Sequence, residues 1–176
     1  MKKILVIGST VTDVIIHLNH LPQTEEDINT SSQTLSLGGC AYNVSDMLRH
    51  FNVPYSLFSP IGAGLYGDFI KETLAKKGVC SIIPPIQEEN GCCYCLVEDN
   101  GKRSFISVRG AEYQFKREWF DALNINDYDM AYVCGLELEE ASGELIINFL
   151  LEHPQLQIFF APGPRLTSIN AERMQK

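Results

Sequence analysis

Basic residues are scarce in this chain: 14 Lys and Arg stand against 22 Asp and Glu, a formal net charge of −8. The isoelectric point falls near 4.9. A fixed negative field repels phosphate backbones and anionic headgroups, so no nucleic acid and no membrane surface is expected as partner; a small molecule is. Long hydrophobic runs are also missing. Nothing approaches the roughly 20 apolar residues of a membrane-spanning helix. Lys2 and Lys3 precede apolar residues in the manner of a secretion signal, but the unbroken run Ile4–Ile7 is too short and Asp13 lies inside the stretch. A cytoplasmic protein is the expectation. No G-x-x-x-x-G-K-[ST] segment exists, which excludes a P-loop nucleotide site. Paired cysteines at zinc spacing are lacking too. Cys92-Cys93-Tyr94-Cys95 has neither a second pair nor histidines to complete a tetrahedral site, so metal binding is not expected. The six cysteines, Cys40, Cys80, Cys92, Cys93, Cys95 and Cys134, are expected to be buried, reduced thiols. Two Asn-x-Ser/Thr triplets, at Asn29 and Asn43, are then sequons on paper only.

What is present suits a folded domain: 176 residues, 45% of them hydrophobic. Lys3-Ile-Leu-Val-Ile-Gly8 reads as a buried strand ending in glycine. Val14–His17 reads as a second short strand, residues 19–32 as a polar loop, and Gln33–Leu37 as a strand stopped by Gly38-Gly39. Val44, Met47, Leu48 and Phe51 then fall at helical spacing. Tyr55–Ser59 returns to strand, and Asp68–Lys77 reads as a helix closed by Gly78. Cys92–Glu98 and Arg103–Val108 flank Asp99-Asn100-Gly101, a strong hairpin signal. Met130–Cys134 and Ile158–Ala161 read as short strands, with a helix between them carrying Leu145, Ile146, Phe149 and Leu150. Alternating strands and helices predict an α/β fold with a mostly parallel sheet flanked by helices. The hairpin-rich pieces near residues 14–37 and 92–108 break that alternation and predict a small β lid.

Two glycine segments could hold ligands. Gly38-Gly39 precedes a helix with Asn43 in its first turn. Glycines let a ligand approach the backbone, the helix start offers N–H groups, and an amide both donates to and accepts from a hydroxyl. The plainer alternative is a tight turn with Asn43 capping. Gly62-Ala-Gly64-Leu-Tyr-Gly67 is literally G-x-G-x-x-G, with Glu88 about twenty residues on, as a dinucleotide fold would place its ribose acid. It does not come after the first strand, however, and Pro84-Pro85 make a poor second strand end. Asp13 is the third feature: a carboxylate among apolar strand segments must find donors, either sugar hydroxyls or the backbone of a turn.

Taken in order, these segments resemble the ribokinase-like (PfkB) carbohydrate kinase family along the whole chain. Ile4–Gly8 with Asp13 is similar to that family's first strand and substrate aspartate. Gly38-Gly39-Cys-Ala-Tyr-Asn43-Val-Ser45 resembles its signature Gly-Gly-x-x-x-Asn-x-Ala/Ser. Ile61-Gly62…Gly67-Asp68…Gly78-Val79, the hairpin Asp99-Asn100-Gly101-Lys102-Arg103, Gly110-Ala111-Glu112, Gly135-Leu136-Glu137 and Pro162-Gly163-Pro164-Arg165 match later segments. The resemblance implies phosphorylation of a primary hydroxyl on a sugar or nucleoside by Mg²⁺ and ATP, a monovalent cation being a further candidate. It implies that Asp13, Gly38, Gly39, Asn43 and Glu137 bind the sugar, and that Arg103 belongs to the lid turn. Two copies could pair through lid edges. Gly64 and Ala161 depart from the family, which often carries aspartate at both positions. The family's second signature, Asp-Thr-x-Gly-Ala-Gly-Asp, supplies an anion hole and the base; neither it nor the preceding Asn-x-x-Glu motif occurs between Met1 and Lys176. The expectation is therefore the amino-terminal, sugar-binding part of a longer enzyme, inactive alone. The rivals are a dinucleotide-dependent oxidoreductase using Gly62, Gly64 and Gly67, and a non-catalytic sugar-binding or dimerising module.

Overall fold

Leu5, Val6 and Ile7 are each fully buried, so the first strand is covered on both faces. That is the environment of a parallel strand between helical layers, and the apolar run at 4–7 fits it. The computed structural model describes residues 2–176. Met1 and the side chain of Arg165 in the Pro162–Arg165 segment lie outside the description.

The main sheet consists of β1 (Lys3–Ile7), β4 (Tyr55–Phe58), β7 (Tyr128–Cys134) and β8 (Gln157–Ala161), ordered β4-β1-β7-β8 with every pairing parallel. On one face, α1 (Cys40–His50) and α2 (Gly64–Lys76) bury Ala41, Tyr42, Ile70 and Leu74 against Val6 and Leu57. On the other, α3 (Arg117–Asp121) and α5 (Gly143–Glu152) contribute Phe120, Ile146 and Phe149 to a core with Leu5, Ile7, Phe58 and Val133. Phe120 links the layers, its ring centroid 4.8 Å from both Phe58 and Phe149.

A second sheet stands apart: β2 (Val11–Leu18), β3 (Ser32–Gly38), β5 (Cys92–Glu98) and β6 (Arg103–Val108), ordered β3-β2-β5-β6. Its β2–β5 pairing is parallel, the other two antiparallel. The hairpin falls where Asn100-Gly101 places it, with Gly101 at φ +84°. The strand around Asp13 is longer than its apolar core suggests, and Asp13 lies within β2 rather than in a turn. Of the expected face of helix α1, Val44 and Leu48 pack against the core while Met47 and Phe51 are exposed, the buried side being shifted toward Ala41, Tyr42 and Ser45. Helix α2 begins inside the glycine segment, ahead of Asp68. Short α4 (Gly135–Glu139) and α6 (Ala171–Met174) complete the chain. All six cysteines are free thiols; Cys92, Cys95 and Cys134 are buried as expected, Cys80 is exposed, and Cys40 and Cys93 lie between these extremes.

Candidate functional site

The carboxyl ends of parallel strands are where ligands gather in open α/β sheets. Here β1 ends just before Ser9 and β7 runs into α4, and the second sheet rises beside both. Between them lies a cleft of about 200 Å³, lined among others by Ser9, Asp13, Gly39, Cys40, Asn43, Cys93, Ser107, Glu112 and Tyr113. Three of the five residues expected to bind the sugar, Asp13 from β2 and Gly39 and Asn43 at the start of α1, thus converge on one cavity, while Gly38 and Glu137 do not line it.

The geometry of this convergence rests on two glycines. A Cβ at Gly38 would fall 2.1 Å from Asp13 Oδ2, so the bare backbone of Gly38 makes room for the carboxylate. Gly39 holds φ +94°, and a Cβ there would meet the Ser9 carbonyl oxygen at 2.4 Å. That contact seats α1: the Ala41 N–H donates to the same Ser9 carbonyl at 3.1 Å. Gly39 is the helix N-cap and provides no side-chain cap. The Asn43 amide is not a cap either; its side chain hydrogen-bonds to none of the described residues, and neither does the Asp13 carboxylate. Burial raises the pKa of Asp13 above the usual aspartate range. An unpaired carboxylate and an unpaired amide, facing one cleft, suit a ligand rich in hydroxyls.

Glu137 stands one layer back. It is fully buried in α4 and does not line the cleft. Its Oε1 accepts from the Ser9 N–H at 2.7 Å, while Oε2 has no partner among the described residues. Burial pushes its pKa up. Glu112 performs a similar task at the edge of the second sheet, accepting from the Gly91 N–H at 2.8 Å and the Gly110 N–H at 3.0 Å.

Sequence reasoning passes over Ser9, Cys93, Ser107 and Tyr113. Cys93 carries a usable signal, since it is the register partner of Asp13 in the β2–β5 ladder. The others arrive through tertiary structure.

The G-x-G-x-x-G segment packs against protein. A Cβ at Gly62 would meet the Glu88 carbonyl oxygen at 2.3 Å, and one at Gly67 would meet the Gly62 carbonyl oxygen at the same distance. The Ala63 N–H donates to the Glu88 carbonyl (2.8 Å) and the Gly62 N–H to Asn90 Oδ1 (2.9 Å). These glycines admit the 88–90 segment. Among the described residues, no group of three or more His, Cys, Asp or Glu could hold a metal ion.

Comparison with known proteins agrees with this architecture. Residues 1–158 match the pfkB family carbohydrate kinase profile. The chain is 33% identical over 168 residues to the uncharacterized sugar kinase YegV of Escherichia coli (strain K12), covering 96% of this chain and 52% of that protein. It is 25% identical over 168 residues to the ATP-dependent ribose-1-phosphate kinase of Halopiger xanaduensis, covering 94% of this chain and 56% of that one. Ribokinase from Giardia lamblia superposes with a TM-score of 0.84 at 18% identity, covering 99% of this chain and 59% of that one, and shares the fold. The chain spans about half the length of the curated relatives it matches. With the family profile covering most of its residues, the chain belongs to the pfkB family of carbohydrate kinases.

Proposed function

We propose that this chain supplies the acceptor site of a cytoplasmic, ATP-dependent kinase that phosphorylates a primary hydroxyl of a sugar or nucleoside. The observation that carries the reading is the meeting of the unpaired Asp13 carboxylate and the unpaired Asn43 amide in one cleft beside Gly39. In this reading Asp13 accepts hydrogen bonds from two neighbouring hydroxyls. Asn43 fixes a third, and the Gly39 backbone sets how closely the sugar approaches. Glu137 acts behind them by holding the Ser9 N–H, and Gly38 by leaving room for Asp13. The β2-β3-β5-β6 sheet serves as the lid, with Cys93 and Ser107 on its cleft-facing side. ATP supplies the phosphoryl group, and the residues that would hold its phosphates and Mg²⁺ are not among those in this cleft. Phosphoryl transfer depends on positioning and charge stabilisation, so the sugar site alone gives binding without turnover.

Calorimetry with ribose, fructose and adenosine, beside a coupled assay for ADP release, tests this. The reading expects saturable binding of at least one of the three, lost in Asp13→Ala, and no ADP release from the 176-residue chain. Binding that survives Asp13→Ala, or turnover at a normal rate, contradicts it. Titration with NADH separates the oxidoreductase reading, which alone expects binding that Gly64→Val abolishes. Leu35, Phe105, Ile106 and Val108 are exposed on the lid strands, which supports pairing of two copies there; sedimentation measures it.

A further inference from the structure

Beneath the cleft lie two thiols that sugar binding leaves unused. Cys40 is the first residue of α1, directly after Gly39, and lines the cleft. Cys134 is the last residue of β7 and is buried. They are 94 positions apart in sequence, yet their Sγ atoms lie 2.8 Å apart. That is about 0.75 Å longer than a disulfide bond of about 2.05 Å. Among the described residues no other pair of cysteines shares a hydrogen bond of this kind; the Cys93 sulfur accepts from the Ser107 hydroxyl at 3.9 Å.

We propose that Cys40 and Cys134 form an oxidisable dithiol, a modification site for hydrogen peroxide entering the cleft, whose disulfide ties the start of α1 to the end of β7. Three observations converge on it. The sulfurs are already nearly in bonding position, so oxidation needs little backbone movement. One faces the cleft and is open to a small oxidant, while the other is shielded and suited to resolve the first product. The two thiols share a hydrogen bond that lowers the Cys134 thiol below its ordinary range and, with burial, holds the Cys40 thiol above it, so Cys134 is the readier thiolate for the resolving step.

The chemistry balances. The Cys40 sulfur attacks one peroxide oxygen as its thiol proton is released, the O–O bond breaks, and the departing hydroxide takes up that proton as water. Cys40 is then a sulfenic acid. The Cys134 thiolate attacks the Cys40 sulfur, the S–S bond forms, and the sulfenic hydroxyl leaves as a second water with the Cys134 proton. Two thiols lose two electrons and two protons, and one peroxide becomes two waters. Cleft residues flank both tethered positions, Gly39 and Asn43 around Cys40 and Leu136 two residues after Cys134, so the bond fixes the site's floor.

Peptide mass spectrometry without reduction, after peroxide treatment and alkylation of the chain, tests the pair. The Cys80→Ser variant removes the exposed thiol at the surface and serves as background. The expected product joins the peptides containing Cys40 and Cys134 with loss of two hydrogens, and dithiothreitol reverses it. Recovery of both cysteines fully alkylated, or cross-links to Cys92, Cys93 or Cys95 instead, overturns the proposal. A second arm rests on the sugar reading: ribose, fructose or adenosine bound in the cleft covers Cys40 and slows the cross-link several-fold. A cross-link that forms at a rate no member of the panel changes establishes the dithiol and counts against the sugar site alone.

Discussion

The Asp13 carboxylate occupies the space a side chain at position 38 would fill, since a Cβ on Gly38 would stand 2.1 Å from its Oδ2. Gly38 therefore matters for what it leaves empty, and Gly38→Ala should displace Asp13 rather than the backbone. The carboxylate is the end of a rotatable side chain, so the fold adapts at modest cost while the site loses its acceptor. We expect a melting temperature within a few degrees of wild type, and sugar affinity reduced as strongly as in Asp13→Ala. Calorimetry beside a thermal melt separates the two effects. Unchanged affinity in Gly38→Ala would break the link between the two residues.

The raised pKa of Asp13 gives the binding a definite pH sense. Only the deprotonated carboxylate accepts from two hydroxyls, and burial makes that form harder to reach. Sugar affinity should fall with decreasing pH, beginning above the ordinary aspartate range. In Asp13→Asn the affinity should be weak and flat across the same range. For stability the sign is opposite. A carboxyl whose pKa is raised on folding favours the folded state most when protonated, and that advantage is lost as pH rises through the folded value.

Glu137 obeys the same rule more forcefully, being fully buried with Oε2 unpartnered among the described residues. Glu137→Gln keeps an oxygen for the Ser9 N–H and removes the titration. The variant should match or exceed wild type in thermal stability at alkaline pH, with the difference shrinking in acid. Glu137→Ala leaves the Ser9 N–H without its acceptor and should cost about 1–3 kcal/mol. Melting curves of both variants across pH check the pair, and a Gln variant less stable than Ala would contradict it.

Much of this arrangement is legible in the sequence, for local reasons. The hairpin strands Cys92–Glu98 and Arg103–Val108 can be read directly because Asn100-Gly101 dictates a turn between alternating strands. Asp13, Gly39 and Asn43 can be named because each is chemically out of place where it stands: a charge in a strand, a glycine at a helix start, and an amide free to bond. Helices α3 and α4 escape a sequence reading, since five residues are too few to display a period. The face of α1 misleads because its large apolar residues, Met47 and Phe51, are less buried than its small ones. The run Glu137–Glu140 looks solvated as a string; only α4 reveals that Glu137 turns inward.

Glu112 bonds to Gly91 and Gly110 where the second sheet leaves and rejoins the body. Glu112→Ala removes the acceptor for both N–H groups. Hydrogen exchange should accelerate at residues 91 and 110 and through the β5–β6 hairpin, while exchange in β1 and β7 stays near wild type. Acceleration spread evenly over both sheets would show that Glu112 supports the whole fold rather than a lid hinge.

The central claim is that Asp13 and Asn43 hold one ligand together. Amide shifts recorded by two-dimensional NMR during titration with ribose, fructose and adenosine test it most directly. The account predicts that, for at least one of them, the signals of residues 12–14 and 39–43 move along one saturation curve, and that Asp13→Ala abolishes both sets of shifts. Saturable movement confined to residues 62–67, or shifts at 39–43 that persist unchanged in Asp13→Ala, would contradict it.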